Sequence, residues 1–323
     1  VAEQVEIDFH RAAATLIPPG SHVLVAVSGG GDSVALLHLL RRWGTRRALE
    51  LTVAHLDHAM RRGSTSDRRF VEALAAKGGL PFIAERYPVK AQKRKDESLE
   101  EAARRVRRGF LLEAAKASGA ALIATGHTLD DQAETILLRF ARGAGPAALA
   151  GMAVAGPGPF VRPLLGIVRE DLRRWLRRKR LRFVDDPTND SLAFDRNRVR
   201  RLVVPVLAKA VNPRAARHLV EAADRLRSDA AFLDAVAGAR LADVGRTAGG
   251  APAIDAAGLV SLPGPIASRV ARLALEQAGC DPRRISSRHV DALRKLGVAP
   301  EGSSLSLPGR RRVSKRNGLL EFG

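Results

Sequence analysis

The chain is 323 residues long, 46% hydrophobic and only 4% aromatic, so it can bury two cores built from Ala, Leu and Val, which excludes global disorder. Lys and Arg number 54 against 34 acids, a net charge of +20, with a sequence pI near 11.4; this excess suits a polyanion partner, because neutralised phosphates release counterions, unless it only mirrors an arginine-rich genome. No apolar run approaches the roughly 20 residues of a membrane span, Glu3, Glu6 and Asp8 break any signal-peptide layout, and the lone Cys280 excludes an internal disulfide and a cysteine metal cluster. A soluble, cytoplasmic protein without membrane association is the expectation; oligomeric state stays open, a homodimer included.

Strands and helices alternate through the first half. The pattern predicts a strand over 23–27 and a helix over 34–43, then a strand over 51–56 and a helix over 67–77. A strand over 80–84 precedes a long charged helix over 98–117, and a strand over 120–125 precedes a helix over 129–141. Glycines and prolines between 143 and 159 mark a break, followed by a short strand at 160–162 and a basic helix over 170–180. This is the layout of an α/β fold, a doubly wound, mostly parallel sheet. Beyond about residue 205 helices dominate, over 213–237, 265–278 and 287–296, and alternating Leu305, Leu307, Val313, Leu319 and Leu320 form a small antiparallel piece. Two domains are expected: the α/β domain over 1–208 and a smaller, helix-rich α+β domain over 209–323.

The basic excess is uneven. Residues 162–217 hold 16 basic and 6 acidic side chains, half of the whole net charge. A second cluster, Arg310, Arg311, Arg312, Lys315 and Arg316, lies near the C-terminus. Two separated basic zones fit a long, shaped polyanion better than a small metabolite. In the helix over 170–180, Leu172, Trp175 and Leu176 form one apolar stripe, leaving Arg173, Arg174, Arg177, Arg178 and Arg180 mostly outward. An ordinary solvated face mixes signs more than this one.

Ser28-Gly29-Gly30-Gly31-Asp32-Ser33 joins the first strand to its helix. Glycines admit a ligand close to the backbone, and N–H groups at a helix N-terminus favour phosphate. Ser28 and Ser33 add hydroxyls, and Asp32 tolerates a phosphate neighbour only with Mg2+ between them. A tight turn with Asp32 or Ser33 as a helix cap is the competing reading. Neither the Gly-Lys-Ser/Thr of a Walker loop nor the G-x-G-x-x-G dinucleotide spacing is present. The loop is similar to the SGGxDS loop of the N-type ATP pyrophosphatases, which implies an adenine nucleotide hydrolase-like fold and adenylation of a substrate oxygen with release of pyrophosphate.

Further motifs resemble those of the tRNA(Ile)-lysidine synthetase family, in order, over roughly residues 20 to 213. His55-Leu-Asp57-His58-Ala-Met-Arg61 follows the second strand, Ala103-Arg104-Arg-Val-Arg107 lies in the long helix, and Gly126-His127-Thr128-Leu-Asp130-Asp131-Gln-Ala-Glu134-Thr135 follows the fourth strand. Arg142-Gly143-Ala-Gly145, Arg162-Pro163-Leu164-Leu165, Asp185-Asp186-Pro187-Thr188-Asn189-Asp190 and Arg196-Asn197-Arg198-Val-Arg200 complete the series. Two positions depart from the family pattern: Arg108 replaces the usual Tyr, and Ala148 replaces a glycine. A tRNA thiolase of the same superfamily and a non-catalytic RNA-binding protein are the alternatives; a single cysteine disfavours the first, because sulfur transfer generally needs paired cysteines, and intact Asp32, Asp131 and Glu134 disfavour the second.

The resemblance implies two steps on the wobble cytidine of a tRNA(Ile) with a CAU anticodon. The cytidine O2 attacks the α-phosphorus of ATP and pyrophosphate leaves; the ε-amine of free L-lysine then attacks C2 and AMP leaves. Ser28, Gly29, Gly30, Gly31, Asp32, Ser33, His55, His58 and Gly126 are expected at the ATP, with Asp32 also on Mg2+. Asp32, His127, Asp131, Glu134 and Arg104 are the catalytic candidates, Asp131 and Glu134 for lysine binding or proton handling and Arg104 for the lysine carboxylate or the leaving phosphate. On spacing alone the acids near 131 could equally offset a helix dipole, and His55 and His58 could be read as a weak metal pair. Arg173, Arg174, Arg177, Arg178, Arg196, Arg200, Arg311 and Arg312 are expected to face tRNA, with Arg196 and Arg200 facing either tRNA or the nucleotide phosphates.

Overall fold

A computed structural model describes residues 2–58, 64–95, 97–185, 191–192, 194–282 and 284–323. The ends of two sequence motifs, at 59–61 and 186–190, lie outside these residues. The chain divides into two compact units, residues 1–224 and 225–323.

The first unit opens with helix α1 (Ala2–Leu16), then β1 (His22–Ala26), α2 (Gly31–Gly44), β2 (Glu50–Asp57), α3 (Ser64–Lys77), β3 (Phe82–Arg86), α4 (Leu99–Ser118), β4 (Leu122–Ala124) and α5 (Leu129–Ala141). The short α6 (Pro146–Leu149), β5 (Phe160–Val161), α7 (Arg169–Arg178), α8 (Asp195–Arg198), α9 (Val204–Ala210) and the start of α10 (Ala215–Val244) follow. The five strands pair in parallel in the order β3-β2-β1-β4-β5. Alternation along β1 wraps the sheet on both faces: Val23 and Val25 join Leu36, Leu40, Val71, Leu172 and Trp175 from α2, α3 and α7, while Leu24 joins Phe110, Leu111 and Ala114 of α4. Both layers are therefore buried, and the doubly wound reading of the sequence holds. Because β1 lies between β2 and β4, the chain reverses direction of winding there, and the crevice outside the carboxyl ends of β1 and β4 is where such sheets place ligands.

Among the elements that differ from expectation are β3 and α7. The third strand begins two residues later than predicted, because Leu80 still closes α3 through its N–H to the Ala75 carbonyl, and pairing starts with Val53 N–H donating to Pro81. The basic helix ends at Arg178, and Arg180 sits at φ 53°, so Arg180 is not on the helix face.

The second unit packs α10's C-terminal part with α11 (Ala256–Ser261), α12 (Gly264–Gln277) and α13 (Ser287–Val298) against a sheet of β6 (Gly245–Ala248), β7 (Ala251–Asp255), β8 (Ser304–Leu307), β9 (Arg311–Arg316) and β10 (Leu319–Phe322). That sheet is antiparallel in the order β6-β7-β10-β9-β8. Its core includes Ala237, Leu241, Leu259, Val270, Leu293, Val313, Leu320 and Cys280.

Candidate active site

The turn after β1 is organised around a helix start that has no side-chain cap. Gly29 has φ 97°, which a side chain would strain, and its carbonyl accepts the Val184 N–H at 2.9 Å. Gly30 is the N-cap of α2, so no side chain caps this 14-residue helix and its first N–H groups have no cap partner. Gly31 lies 3.4 Å, at a built Cβ, from the Phe183 ring, which with Val184 closes the turn on one side. The hydroxyls divide their work: Ser33 Oγ donates to the Gly30 carbonyl at 2.9 Å and accepts from Ser28 N–H, so it braces the turn, while Ser28 Oγ lies 3.2 Å from it. Gly126, from the turn after β4, approaches so closely that a Cβ there would meet the backbone of Asp32 and Ser33 at 3.1 Å. Its backbone locks the two turns together.

The turn after β4 is built oppositely. Thr128 caps α5: its Oγ accepts the Asp131 N–H, and Asp131 Oδ2 accepts from Thr128 N–H at 2.9 Å and Thr128 Oγ at 3.0 Å. Leu129, Ala133 and Ile136 turn toward Val220 and Ala223, which presents Asp131 and Glu134 on the other face. Both acids are buried, Glu134 to 1% exposure, so each must be paired. Three arginines pair them. Arg169 places Nη2 2.7 Å from Asp131 Oδ1, Nη1 3.3 Å from Glu134 Oε1 and Nε 3.0 Å from Asp32 Oδ2. Arg196 reaches Glu134 Oε2 at 2.8 Å and Asp131 Oδ1 at 3.0 Å, and Arg200 reaches Glu134 Oε1 at 2.7 Å and Asp131 Oδ1 at 3.4 Å.

These contacts set the protonation states. Burial alone would raise Asp131, but Arg169, Arg196 and the Thr128 N–H outweigh it and hold the carboxyl well below the usual range. For Asp32 burial wins: its carboxyl is raised, with the Asp131 charge adding to the effect and Arg169 opposing it. His127 is pushed down to about 3, first by burial, and by Arg107, Arg196 and Arg162 against the pull of Asp131; its Nδ1 lies 2.9 Å from Thr125 Oγ. The imidazole is neutral at physiological pH.

At the end of β2, His55 is buried and its Nδ1 donates to the Val27 carbonyl at 2.9 Å, tying β2 to β1. His55 Nε2 and His58 Nδ1 are buried and have no hydrogen-bond partner among the described residues. Burial, then the charge of Arg107, lowers His58 to about 4. Two orphaned ring nitrogens beside an uncapped helix start fit a nucleotide, whose base and phosphates each need partners. Among the described residues no group of three His, Cys, Asp or Glu could hold a metal ion, so a resident multi-carboxylate site is absent there; Asp32 alone beside a phosphate cradle fits Mg2+ that arrives with its phosphates.

The remaining basic residues fall into distinct settings. Arg104 is exposed on α4, no acid among the described residues pairs with it, and its charge, after burial, helps hold Arg139 and Arg162 below the ordinary arginine value. On α7, Arg174 pairs with Asp171 and Arg177 with Glu170, so that face does mix signs: the helix's own first-turn acids lie within reach of the next turns. Arg173 is partly buried 3.5 Å from Asp185, and Arg178 is exposed. Arg196 and Arg200 stand inward on the carboxylates rather than on an outer surface, because two buried acids draw them in. In the second unit, Arg311 lies against Gly279, and Arg312 bonds Ser304. Arg169 belongs to none of the motifs quoted above, and only its place four residues after Leu165 hinted at it.

Residues 2–207 match the model of the PP-loop domain family. The tRNA(Ile)-lysidine synthase of Geobacter sulfurreducens is 41% identical over 311 residues, covering 94% of this chain and 65% of its own length. That of Salinispora arenicola is 38% identical over 315 residues, covering 96% of this chain and 93% of its own. The chain thus spans just under two thirds of the Geobacter relative's length, and 59% of that from Thermus thermophilus. Among solved structures, the U34-tRNA thiolase NcsA from Methanococcus maripaludis with its 4Fe-4S cluster superposes at a TM-score of 0.61 and 17% identity, over 70% of this chain and 79% of that one, a likeness of fold.

Proposed function

The chain belongs to the tRNA(Ile)-lysidine synthase family, and from that premise we propose that it joins free L-lysine to the wobble cytidine of a tRNA(Ile) with a CAU anticodon, using ATP, in the cytoplasm. One observation carries the reading: an uncapped helix N-terminus faces, across the switch point of the sheet, two buried carboxylates held by arginines. The first feature suits the phosphates of ATP and the second a cationic amine.

ATP with Mg2+ supplies the adenylyl group that makes the cytidine O2 a leaving group. The N–H groups of Gly31, Asp32 and Ser33 would bind phosphate, and Asp32 would hold the Mg2+ that comes with it. His55 and His58 offer their unpartnered nitrogens to the base. Asp131 and Glu134 receive the lysine ammonium; with its carboxyl held so low, Asp131 favours binding over proton abstraction. Arg104, close to Arg139 and Arg162, faces an anion, either the lysine carboxylate or a phosphate. Arg178 with Arg173, Arg174 and Arg177 meets RNA phosphates. In this reading the PP-loop domain spans 1–208, and residues 209–323 form a tRNA-binding domain that uses Arg311 and Arg312. The chain's one cysteine is buried in the second unit's core, which gives sulfur transfer no support.

Incubation with ATP, radiolabelled lysine and bulk bacterial tRNA tests the proposal. ATP-dependent label in RNA is expected. Pyrophosphate release without label would point to another adenylating enzyme, and neither signal would point to RNA binding alone.

A further inference from the structure

Arg169 stands at the first position of α7, and its root is fixed. Its backbone N–H donates to Asp130 Oδ2 at 2.8 Å, and the Ile167 carbonyl two residues earlier accepts the Leu129 N–H at 3.0 Å. The start of α7 is thereby stitched to the start of α5. From this root a side chain only 15% exposed sends its three guanidinium nitrogens to three different carboxylates: Asp32 after β1, and Asp131 and Glu134 after β4. Arg196 and Arg200 reach Asp131 and Glu134; among the described residues, Arg169 is the one side chain paired with acids of both turns.

A guanidinium is planar, with donors at fixed angles. When it bonds three carboxylates from two turns, it sets the distance between those turns' acids as well as balancing their charge. An ammonium is a point charge without that geometry and would follow one acid or the other. We propose that Arg169 is a positioning residue for both half-reactions, holding Asp32 for nucleotide activation and Asp131 with Glu134 for the amine in one fixed relation. This rests on the function proposed above. It adds that the two halves share one positioning side chain, so that both fail together when it is lost.

The test uses the full chain with Arg169→Ala and Arg169→Lys beside the wild type. Four quantities are measured: pyrophosphate release from ATP and tRNA without lysine, lysine transfer in a single turnover, Mg2+-dependent binding of a non-hydrolysable ATP analogue by calorimetry, and tRNA affinity by filter binding. Loss of a side chain that orients a metal-binding or reacting group costs about 10- to 100-fold. Arg169→Ala is expected to slow both half-reactions by that factor and to weaken Mg2+-dependent analogue binding about tenfold, while its affinity for tRNA stays within about threefold of the wild type. Added guanidinium ion should recover part of both rates in the Ala variant, and Arg169→Lys should restore one half-reaction more than the other. Rescue by guanidinium and the Lys variant keep the test decisive should Arg169→Ala fold poorly. In Arg169→Ala, two normal half-reactions, a defect confined to one of them, or a loss explained wholly by tRNA affinity overturns the inference. A wild-type protein that neither releases pyrophosphate nor labels RNA instead sinks the proposed function, and this inference with it.

Discussion

The turns after β1 and β4 stand against each other, Gly126 touching the backbone of Asp32 and Ser33, yet they treat the helix that follows in opposite ways. After β1 the N-cap is Gly30, without a side chain, and the N–H groups of α2 are left for a ligand. After β4 a reciprocal Thr128–Asp131 box satisfies α5 from within, and the spare carboxylate oxygens are taken by arginines. A helix start without a cap favours anions; one that is capped and lined with acids favours cations, which here are three arginines. Under the proposed function the two turns, side by side, would seat a phosphate and an amine, which is what an adenylation followed by an amine attack requires.

The largest effect should fall on the anion side. Asp32→Ala is expected to lower pyrophosphate release about a thousandfold, as loss of a positioned charge near a reacting phosphoryl group does; unchanged turnover would take Asp32 out of the site. On the cation side, Glu134→Gln keeps the volume and an acceptor for Arg200 but removes the charge. It should cut lysine transfer about a hundredfold with tRNA affinity within about threefold. A defect seen only in tRNA affinity, measured by filter binding, would erase the distinction between the two turns.

The next effect reads the charge around the capped turn through pH. An unfolded histidine takes up a proton near pH 6.5, whereas burial, aided by Arg107, Arg196 and Arg162 and resisted by Asp131, holds His127 at about 3. Between those values the unfolded chain binds the extra proton, so stability falls as the pH falls through the window, by up to about 1.4 kcal/mol per pH unit. His58, at about 4, adds a contribution of the same sign. Urea unfolding at pH 7.5 and pH 5 should therefore show a smaller acid loss for His127→Asn than for the wild type, by up to about 2 kcal/mol. Equal losses in both proteins would mean that His127 is not held neutral.

Much of this was legible in the sequence, and the residues show where legibility stops. Patterns within one element read well: Leu129–Ala141 was found at its observed ends, and the Ser28–Ser33 turn was recognised from three consecutive glycines between a strand and a helix. Helix α1 is not among the expected elements, although Val5, Phe9 and Ala13 recur every four residues, with Ile17 just beyond its end, and all are buried. The β6–β7 hairpin was missed although Gly249-Gly250, at φ 57° and 83°, is a two-residue turn signal. What no local pattern could reveal is partnership. Arg196 and Arg200 meet Glu134 from 62 and 66 residues away, and Arg169 meets Asp32 from 137, so arginines expected at tRNA or nucleotide phosphates, and one with no expected role, neutralise buried acids. Burial decides that, and burial follows from packing rather than from spacing.

The sharpest probe of the comparison is the smallest change. Gly30 has φ −69° and ψ 157°, a conformation open to any residue, and a Cβ built there meets only Ser28 Oγ, at 3.6 Å. Serine therefore fits without strain and brings the hydroxyl that an N-cap uses to accept the N–H of the second or third helical residue. Gly30→Ser would make the β1 turn resemble the β4 turn. For the fold this is neutral or favourable by a few tenths of a kcal/mol; for a phosphate it means competition for a charge-assisted hydrogen bond worth about 1.5 kcal/mol, or roughly tenfold in affinity. The expected result is an unchanged or slightly raised unfolding midpoint together with a KM for ATP about tenfold higher and little change in kcat. Were the variant to bind ATP as tightly as the wild type, the uncapped N–H groups would not be the phosphate seat, and the contrast between the two turns would lose its functional meaning.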